Sequence, residues 1–377
     1  MNYIYYLVLL FIACIATSCN KSIDLPHKGE KTLSSQLSPL DSIVIDVDSI
    51  SWNGNFFISA NNLCFADTYY GQIFEFDWQT GKLINKYLRK GQAKDEVTNI
   101  MYAYTAENNR NHIYILTSSM YLYVYNIEEN KIEYQNFIDF GKSNAEEGNY
   151  DSPSVYNIME MSDFGVDIYE LDSLHVLFPM SFVNRRLGGV NESRYKYGHI
   201  WGEYDRKEQV FTKLTGNSPQ FYHESPVTYC ESFSYSMHES DCYYNFFADS
   251  LIYVCHYPNE PMFTFAFDGE IVDRSYTIGY YDDSKYMKDD LTRVSVNSGI
   301  TYIKETNQLV RTICNKLMNE DISTTVQIYD CRSYNLIAER TFPGCLQVKY
   351  YSQGIYYGIN PIARIDNKSY IYKFSIK

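Results

Sequence analysis

The sequence has few basic residues. Its 377 residues include 32 Lys and Arg against 46 Asp and Glu, so the formal net charge is −14 at pH 7 and the pI is about 5.0. Proteins that bind the phosphate backbone of DNA or RNA present a strongly basic face. The composition therefore predicts that nucleic acid is not a partner.

The sequence also lacks the motifs by which cofactor and catalytic sites are recognised. It contains no G-x-S-x-G elbow, P-loop or Rossmann fingerprint. His238, Cys242, Cys255 and His256 are residue types that bind zinc. However, Cys255 and His256 are neighbours on a predicted strand, where successive side chains point to opposite faces. We therefore assign no catalytic residue and expect no cofactor and no metal ion.

Charged side chains are absent from the first eighteen residues. The apolar run from Ile4 to Ile15 is shorter than the ~20 residues that a membrane-spanning helix needs, and small residues follow it. This pattern is typical of a secretory signal peptide, here residues 1–18, and an uncleaved membrane anchor is the alternative. No second run in the sequence is long and apolar enough to span a bilayer.

The predicted signal ends in Ala16-Thr17-Ser18-Cys19, which resembles the lipobox of bacterial lipoproteins. In such signals the cysteine thiol receives diacylglycerol, and the cysteine becomes the first residue of the mature protein. The resemblance implies that Cys19 is the lipid attachment site and that the membrane is a partner through this lipid. Residues 19–40 are mainly polar and are predicted to form a flexible tether, followed by a single domain over residues 41–377.

Tyrosine is unusually abundant, with 39 Tyr within an aromatic content of 17%. Aromatic and β-branched residues favour strands, and a strand–turn–strand pattern recurs along the body of the chain. Its turns are marked by Asp77, Asn126, Asp205, Asp268 and Asp330. Two further strands precede most copies, as Phe56–Ser59 and Leu63–Asp67 precede the first. Four short antiparallel strands repeated about six times predict an all-β, six-bladed β-propeller. The alternative is an irregular β-sandwich or two smaller β-domains.

The connections between these strands are expected to be uneven. Three of the four intervals between the turns exceed the ~40–50 residues of common propeller repeats. These longer intervals require loop insertions, the largest between Asp139 and Tyr197. Short helical turns are predicted at Ala93–Met101 and Asp283–Arg293. A ring closes when both chain ends share one blade, and we expect Ser42–Val47 to pair with the C-terminal hairpin.

The sequence contains nine cysteines. Cys14 leaves with the predicted signal and Cys19 takes the lipid, so seven remain in the body. An exported protein is in a compartment that permits disulfides, and Cys230, Cys242 and Cys255 lie on consecutive predicted strands. Either some of these form bridges or they are buried small hydrophobic side chains.

A lipobox cysteine followed by six degenerate blades is similar to the TolB-like and NHL-like six-bladed propeller lipoproteins of Bacteroidota. Many of those carry G-x-G-P-x-E after the first blade. Residues 90–96 occupy the matching place and keep Gly91 and Glu96, but lack the second glycine and the proline. The resemblance implies the fold and a lipid-anchored location in the cell envelope, at the outer membrane. It names no substrate, because much of that family has no assigned function.

A propeller presents its loops around a central channel. We therefore expect a binding or interaction protein whose small ligand or envelope-protein partner contacts aromatic and carboxylate side chains at the channel mouth. The candidate binding loops contain Gly91 and Glu96, and the basic pair Arg185 and Arg186 in the longest insertion, unless that pair lies in an ordinary exposed loop.

The alternative function is a propeller enzyme, a lyase or hydrolase acting on glycans or lactones. Converging carboxylates or an ion at the channel axis would favour the enzyme, and an aromatic mouth would favour binding.

Overall fold

Short runs of buried residues pair into antiparallel sheets. The structure is a computed structural model that describes residues 25–91, 93, 96–140, 151–153, 156–158, 168–182, 192–227, 232–279, 284–360 and 368–377. Inner strands such as Gly54–Ser59 are buried on both faces, whereas the outer strand Lys131–Phe137 alternates between exposed and half-buried residues. This difference orders the strands from the centre of the molecule to its outside.

Six sheets follow one another, and we number them as blades in chain order. Blade 1 contains β2 (Gly54–Ser59), β3 (Asn62–Asp67), β4 (Gln72–Phe76) and β5 (Leu83–Tyr87). Blade 2 contains β6 (Tyr102–Ala106), β7 (Asn109–Leu116), β8 (Tyr121–Asn126) and β9 (Lys131–Phe137). Blade 3 contains β10 (Tyr156–Ile158), β11 (Tyr169–Glu170), β12 (His175–Phe182), β13 (His199–Asp205) and β14 (Val210–Asn217).

The remaining blades complete the ring. Blade 4 contains β15 (Phe233–His238), β16 (Asp241–Phe246), β17 (Ile252–His256) and β18 (Phe263–Phe265). Blade 5 contains β19 (Ser295–Ile303), β20 (Gln308–Asn315), β21 (Ser323–Asp330) and β22 (Leu336–Pro343). Blade 6 combines β23 (Gln347–Ser352), β24 (Ile355–Ile359) and β25 (Ser369–Ile376) with the N-terminal β1 (Leu37–Ile45). The predicted six-bladed β-propeller is thus confirmed.

The first strands of the blades meet around a central channel. β2 contacts both β6 and β23, and β19 contacts both β15 and β23. Backbone polar groups at this centre are satisfied across blades: the Asn55 side chain donates to the Ala103 carbonyl at 2.7 Å and accepts from the Ala103 amide at 3.3 Å. Such pairing allows polar side chains to be buried between two inner strands.

Ring closure follows the predicted route. β1 pairs antiparallel with β25, with Ile43 opposite Ile371, so strands from both ends of the chain share blade 6. The strand begins at Leu37, inside the segment predicted as tether. Residues 25–36 also lie on the propeller, because the Lys28 amide donates to Thr264 and the Gln36 amide donates to Lys377, each at 2.9 Å. Within the described residues, the predicted tether is therefore part of the folded body.

The described residues include three helices between strands: α1 (Glu192–Tyr197), α2 (Gln220–Glu224) and α3 (Ser284–Leu291). α3 confirms the helix expected at Asp283–Arg293. The helix expected at Ala93–Met101 is wrong for the residues described there, because the chain turns back on itself and the Val97 amide donates to the Arg89 carbonyl at 3.0 Å. Across the described ranges, no helix has the length and apolar character needed to cross a bilayer.

The predicted hairpin around Asp268 is also wrong. β18 is the last strand of blade 4 and ends at Phe265, and its antiparallel partner β17 precedes it. The turn of that hairpin therefore lies between His256 and Phe263. The Asp268 carboxylate instead pairs with Arg274, with Nη2 to Oδ1 at 3.1 Å and Nε to Oδ2 at 3.4 Å.

The Asp268–Arg274 pair belongs to a buried polar cluster between blades 4 and 5. Arg311 on β20 is fully buried, and its Nη2 lies 3.9 Å from Asp268 Oδ1. Asn297 Oδ1 accepts from Arg274 Nη2 at 2.9 Å and from Arg311 Nη2 at 2.8 Å. The Asp268 carboxylate is therefore the nearest one to a mostly buried guanidinium group and to a fully buried one, and losing it is costly.

Six cysteines lie in the described residues: Cys64, Cys242, Cys255, Cys314, Cys331 and Cys345. All six are free thiols and buried, which supports the interpretation as small hydrophobic side chains. Cys242 lies directly opposite Cys255 on the neighbouring strand. Burial raises the pKa of the Cys242 thiol well above its usual value. Cys230 lies outside the described residues.

Candidate functional site

In each blade the turn that follows the innermost strand (β11 in blade 3) lies at one end of the ring, because the innermost strands of all blades run in the same direction. We call this end the mouth face. These turns surround a cavity of about 650 Å³, the mouth cavity. All six blades line it: blade 1 through Asn61; blade 2 through Glu107, Asn108 and Arg110; blade 3 through Tyr169; blade 4 through Met237, His238 and Glu239; blade 5 through residues 301–305; and blade 6 through residues 349–351.

One wall of the mouth cavity is aromatic. The rings of His238 and Tyr302 stack with centroids 4.6 Å apart and planes 18° apart, joining blades 4 and 5. The ring of Tyr243, on β16 of blade 4, lies parallel to the Tyr302 ring, with the two centroids 5.8 Å apart. The Tyr302 hydroxyl donates to Asn307 at 2.8 Å. Burial raises the pKa of Tyr302, so its hydroxyl stays neutral and the wall keeps an uncharged ring face with polar edges.

The floor of the cavity is tied together by Glu107. Its Oε1 accepts from the Ser236 hydroxyl at 2.5 Å, and its Oε2 accepts from the Met237 amide at 2.9 Å. The same hydroxyl accepts from the Tyr302 amide at 3.0 Å. A single turn of blade 2 thus reaches blade 4 directly and blade 5 through Ser236. We therefore assign Glu107 a structural part in shaping the cavity.

Other charged groups face the cavity without such ties. Within the described residues, the Arg110 guanidinium, the Lys304 ammonium and the Glu305 carboxylate have no hydrogen-bond or ion-pair partner. They come from blades 2 and 5, on two sides of the channel. Charged groups that are not satisfied inside the protein remain available to hydrogen-bond a ligand.

A second network lies beside the cavity, where blade 2 meets blade 3. Glu170 follows the cavity residue Tyr169. Its carboxylate accepts from His112 Nδ1 and from the Tyr114 hydroxyl at 2.6 Å each, and from Asn109 at 3.0 Å. Burial opposes ionisation of Glu170, but the hydrogen bonds from these three side chains outweigh it and lower its pKa. The hydrogen bond to Glu170 raises the pKa of His112.

We expect Glu170→Gln to destabilise the protein by about 2 kcal/mol between pH 5 and 6, because it leaves a half-buried imidazolium without its closest partner. The raised pKa of His112 contributes stability that is full below its usual value of 6.5 and is lost as pH rises through its value in the folded protein. The lowered pKa of Glu170 contributes stability above its usual value of 4.5, which is lost at lower pH. Urea unfolding of both proteins at pH 5.5 and pH 9 measures the change in the free energy of unfolding at each pH.

Glu133→Gln is the matched control. Its carboxylate lies 3.2 Å from His112 Nε2 but is 30% exposed, against 10% for Glu170. We expect its effect to be less than half as large, because exposed ion pairs contribute little. A Glu170→Gln effect that is equal at both pH values would show that the His112 charge is not involved.

The predicted loop residues Gly91 and Glu96 contact each other, but not the mouth cavity. They lie between β5 and β6, at the opposite end of the ring. Glu96 Oε2 accepts from the Ala93 amide at 2.9 Å, and a Cβ on Gly91 would lie 1.8 Å from that same oxygen. A side chain at position 91 would displace the Glu96 carboxylate from its place over the turn. Arg185, Arg186 and Cys19 lie outside the described residues.

The residues of the mouth cavity were not predicted as site residues. His238 was noted in the sequence only as a residue type that binds zinc. The available signal was positional: each lining segment lies in the last part of the innermost strand of a blade or in the turn that follows it. Of the zinc-type residues, His238 stacks on Tyr302, and His256 pairs with Asp241. In the portion of the chain that is described, no three His, Cys, Asp or Glu side chains group as metal ligands.

Known proteins provide a comparison for the fold. No family model matches the chain, and no curated protein sequence matches it. A solved structure of a DUF4221-family member from Bacteroides vulgatus ATCC 8482 is similar, with a TM-score of 0.66 and 14% identity over 92% of this chain and 99% of that chain. A candidate exported protein from Bacteroides fragilis NCTC 9343 has a TM-score of 0.50 and 14% identity over 93% and 98%. The chain therefore has a six-bladed β-propeller fold that it shares with proteins of Bacteroides.

Proposed function

We propose that this protein is an exported, lipid-anchored binding protein that takes a small polyhydroxylated ligand, of the saccharide class, into the mouth cavity. The observation that carries the proposal is the convergence of all six blades on one cavity of about 650 Å³. That volume lies within the roughly 300–1,000 Å³ of small-molecule sites. A rigid ring that brings six turns together can recognise a ligand without a catalytic group.

The lining supports this ligand class. The stacked His238–Tyr302 wall offers a flat ring surface for the apolar face of a sugar ring. Arg110 and Lys304 supply donors, and Glu305 supplies acceptors, for hydroxyl groups. Cations and carboxylates together suit a ligand with many hydroxyls better than a purely apolar one.

The envelope location is supported from two directions. The apolar run before Ala16-Thr17-Ser18-Cys19 is typical of an exported lipoprotein. The similar Bacteroides fragilis protein is a candidate exported protein as well. The lipid on Cys19 would hold the propeller at the outer membrane, where ligands and envelope proteins are both accessible.

Binding is tested by calorimetry and thermal shift on the mature chain without lipid, against a panel of neutral and acidic mono- to tetrasaccharides. We expect at least one member to bind, and Arg110→Ala and Tyr302→Ala each to weaken its binding about tenfold or more, equivalent to ~1.4 kcal/mol. Lys213→Ala on the outer strand of blade 3 is the matched control, because its side chain is exposed and far from the cavity turns. Equal affinity in Arg110→Ala, Tyr302→Ala and the control would place the ligand elsewhere, and a panel without any binder would reject the saccharide class.

A further inference from the structure

Residues 25–36 form an extended segment along the outer rim of the propeller, which we call the rim strap. It makes a parallel bridge to β18 at His27–Thr264 and another to β22 at Lys31–Leu336. The Thr264 amide donates to Pro26 and the Leu336 amide donates to Glu30, at 3.0 and 2.9 Å. The strap therefore crosses from blade 4 to blade 5 before the chain enters β1 in blade 6.

Side chains reinforce the strap. The Lys28 ammonium lies 3.6 Å from the centroid of the Phe263 ring, and the Lys31 ammonium pairs with Glu339 at 3.1 Å. Gly29 has a φ of +79°, and a Cβ there would lie 2.1 Å from the Tyr334 carbonyl oxygen. Only glycine passes this close to the turn between β21 and β22. These contacts make the strap a fixed part of the body.

The strap lies on the mouth face. The inner strand of blade 4 ends at His238, which lines the mouth cavity, and strand direction alternates across the blade. β18 therefore starts at the mouth face, and so does β22 by the same pattern in blade 5. The strap bonds to the first residues of both strands. The described chain thus begins at the mouth-side rim of blade 4.

This position limits where the predicted lipid can be. Five residues lie between Cys19 and Leu25. An extended chain spans at most ~3.3–3.6 Å per residue, so six residue steps place the lipidated cysteine within about 20 Å of the strap. The eight residues of β22 place the opposite face roughly 25 Å further away.

We infer that the mouth face is the membrane-facing side of the propeller, held close to the bilayer at blade 4. The inference rests on the proposed lipid anchor. In this orientation the mouth cavity opens toward the membrane, so a ligand enters it from the narrow layer between the propeller and the bilayer. A free tether of residues 19–40 would allow every orientation, and the strap removes that freedom.

Fluorescence resonance energy transfer from a dye on the protein to a labelled lipid in the bilayer tests this orientation. The protein is purified from its native host with Cys230→Ser, and its acylation is verified by mass spectrometry. A donor dye is placed on Lys207→Cys, in the exposed mouth-face turn of blade 3, or on Glu320→Cys, in the opposite-face turn of blade 5. The described native thiols are buried and take no dye. Each protein is reconstituted into phosphatidylethanolamine–phosphatidylglycerol vesicles that contain a rhodamine-labelled lipid.

We expect roughly twofold higher transfer from position 207 than from position 320, since about a strand length separates the two turns. A fifteen-residue Gly-Ser insertion between Ser22 and Ile23 should abolish the difference by lengthening the connection. Equal transfer in the acylated, uninserted protein, or higher transfer from position 320, would overturn the orientation while leaving the anchor intact. A protein that carries no acyl chain would overturn the anchor, and the orientation with it.

Discussion

Cys19→Ala is expected to abolish acylation of the protein, which then fractionates with the soluble envelope proteins once its signal peptide has been removed. The thiol of Cys19 is the atom that a lipobox acylation alkylates, and alanine cannot form that bond. Several acyl chains on one residue make membrane binding effectively permanent, and losing them all removes it. Incorporation of labelled palmitate measures acylation, and fractionation of cells measures membrane binding.

The propeller itself should not change. The hydrogen bonds between the rim strap and the blades begin at Pro26, seven residues after the cysteine. We therefore expect the thermal unfolding midpoint of the mature variant to match that of the acylated protein. Cys14→Ala is the matched control, because Cys14 lies within the predicted signal and leaves with it. Palmitate in Cys19→Ala, or its loss in Cys14→Ala, would assign the lipid to the wrong cysteine.

The ring architecture was predictable because its signals are local. Each pair of strands around a short turn is encoded within about a dozen residues, and Phe56–Ser59 and Leu63–Asp67 match β2 and β3 closely. The pairing of β1 with β25 was predictable for a different reason. A ring of antiparallel blades has one natural closure, and the only unassigned strand pattern near the N-terminus was the segment at Ser42–Val47.

The errors came where a local signal was overruled by distant partners. Asp268-Gly269 is typical of a hairpin turn, yet Asp268 is held by Arg274 and lies near the buried Arg311. The rim strap was hidden for a related reason. Its bonds to Thr264 and Leu336 are made by backbone groups, which every residue carries, so a polar sequence looks the same as a free tether.

The mouth cavity could not be predicted because its residues are far apart in the chain. Arg110, His238 and Lys304 come from turns that only the closed ring brings together. Their types are common on exposed turns, and nothing in their neighbours marks them. The motif residues Gly91 and Glu96 had a recognisable pattern, but the pattern is that of a self-supporting turn at the other end of the ring.

Asp268→Asn is expected to destabilise the propeller by about 3 kcal/mol, the low end of what breaking a buried pair costs, because this carboxylate is 27% exposed. The substitution leaves Arg274, 15% exposed, and Arg311, fully buried, without their nearest carboxylate. An amide in the same place cannot balance either charge. Urea unfolding of the mature, lipid-free chain at pH 7 measures the change in free energy of unfolding.

Two further variants test whether the loss of stability in Asp268→Asn comes from the uncompensated arginine charges or from the change of side chain itself. Glu270→Gln makes the same carboxylate-to-amide change two residues away at an exposed position, where surface substitutions stay within about 0.5 kcal/mol. Arg311→Met added to Asp268→Asn should recover part of the lost stability, because it removes the guanidinium that is most deeply buried and the repulsion between the two cations. If Asp268→Asn costs no more than Glu270→Gln, the cluster does not depend on this carboxylate. If the double variant is less stable than Asp268→Asn alone, the contribution of Arg311 comes from its packing and its bonds to Asn297, and the uncompensated charge is not the cause.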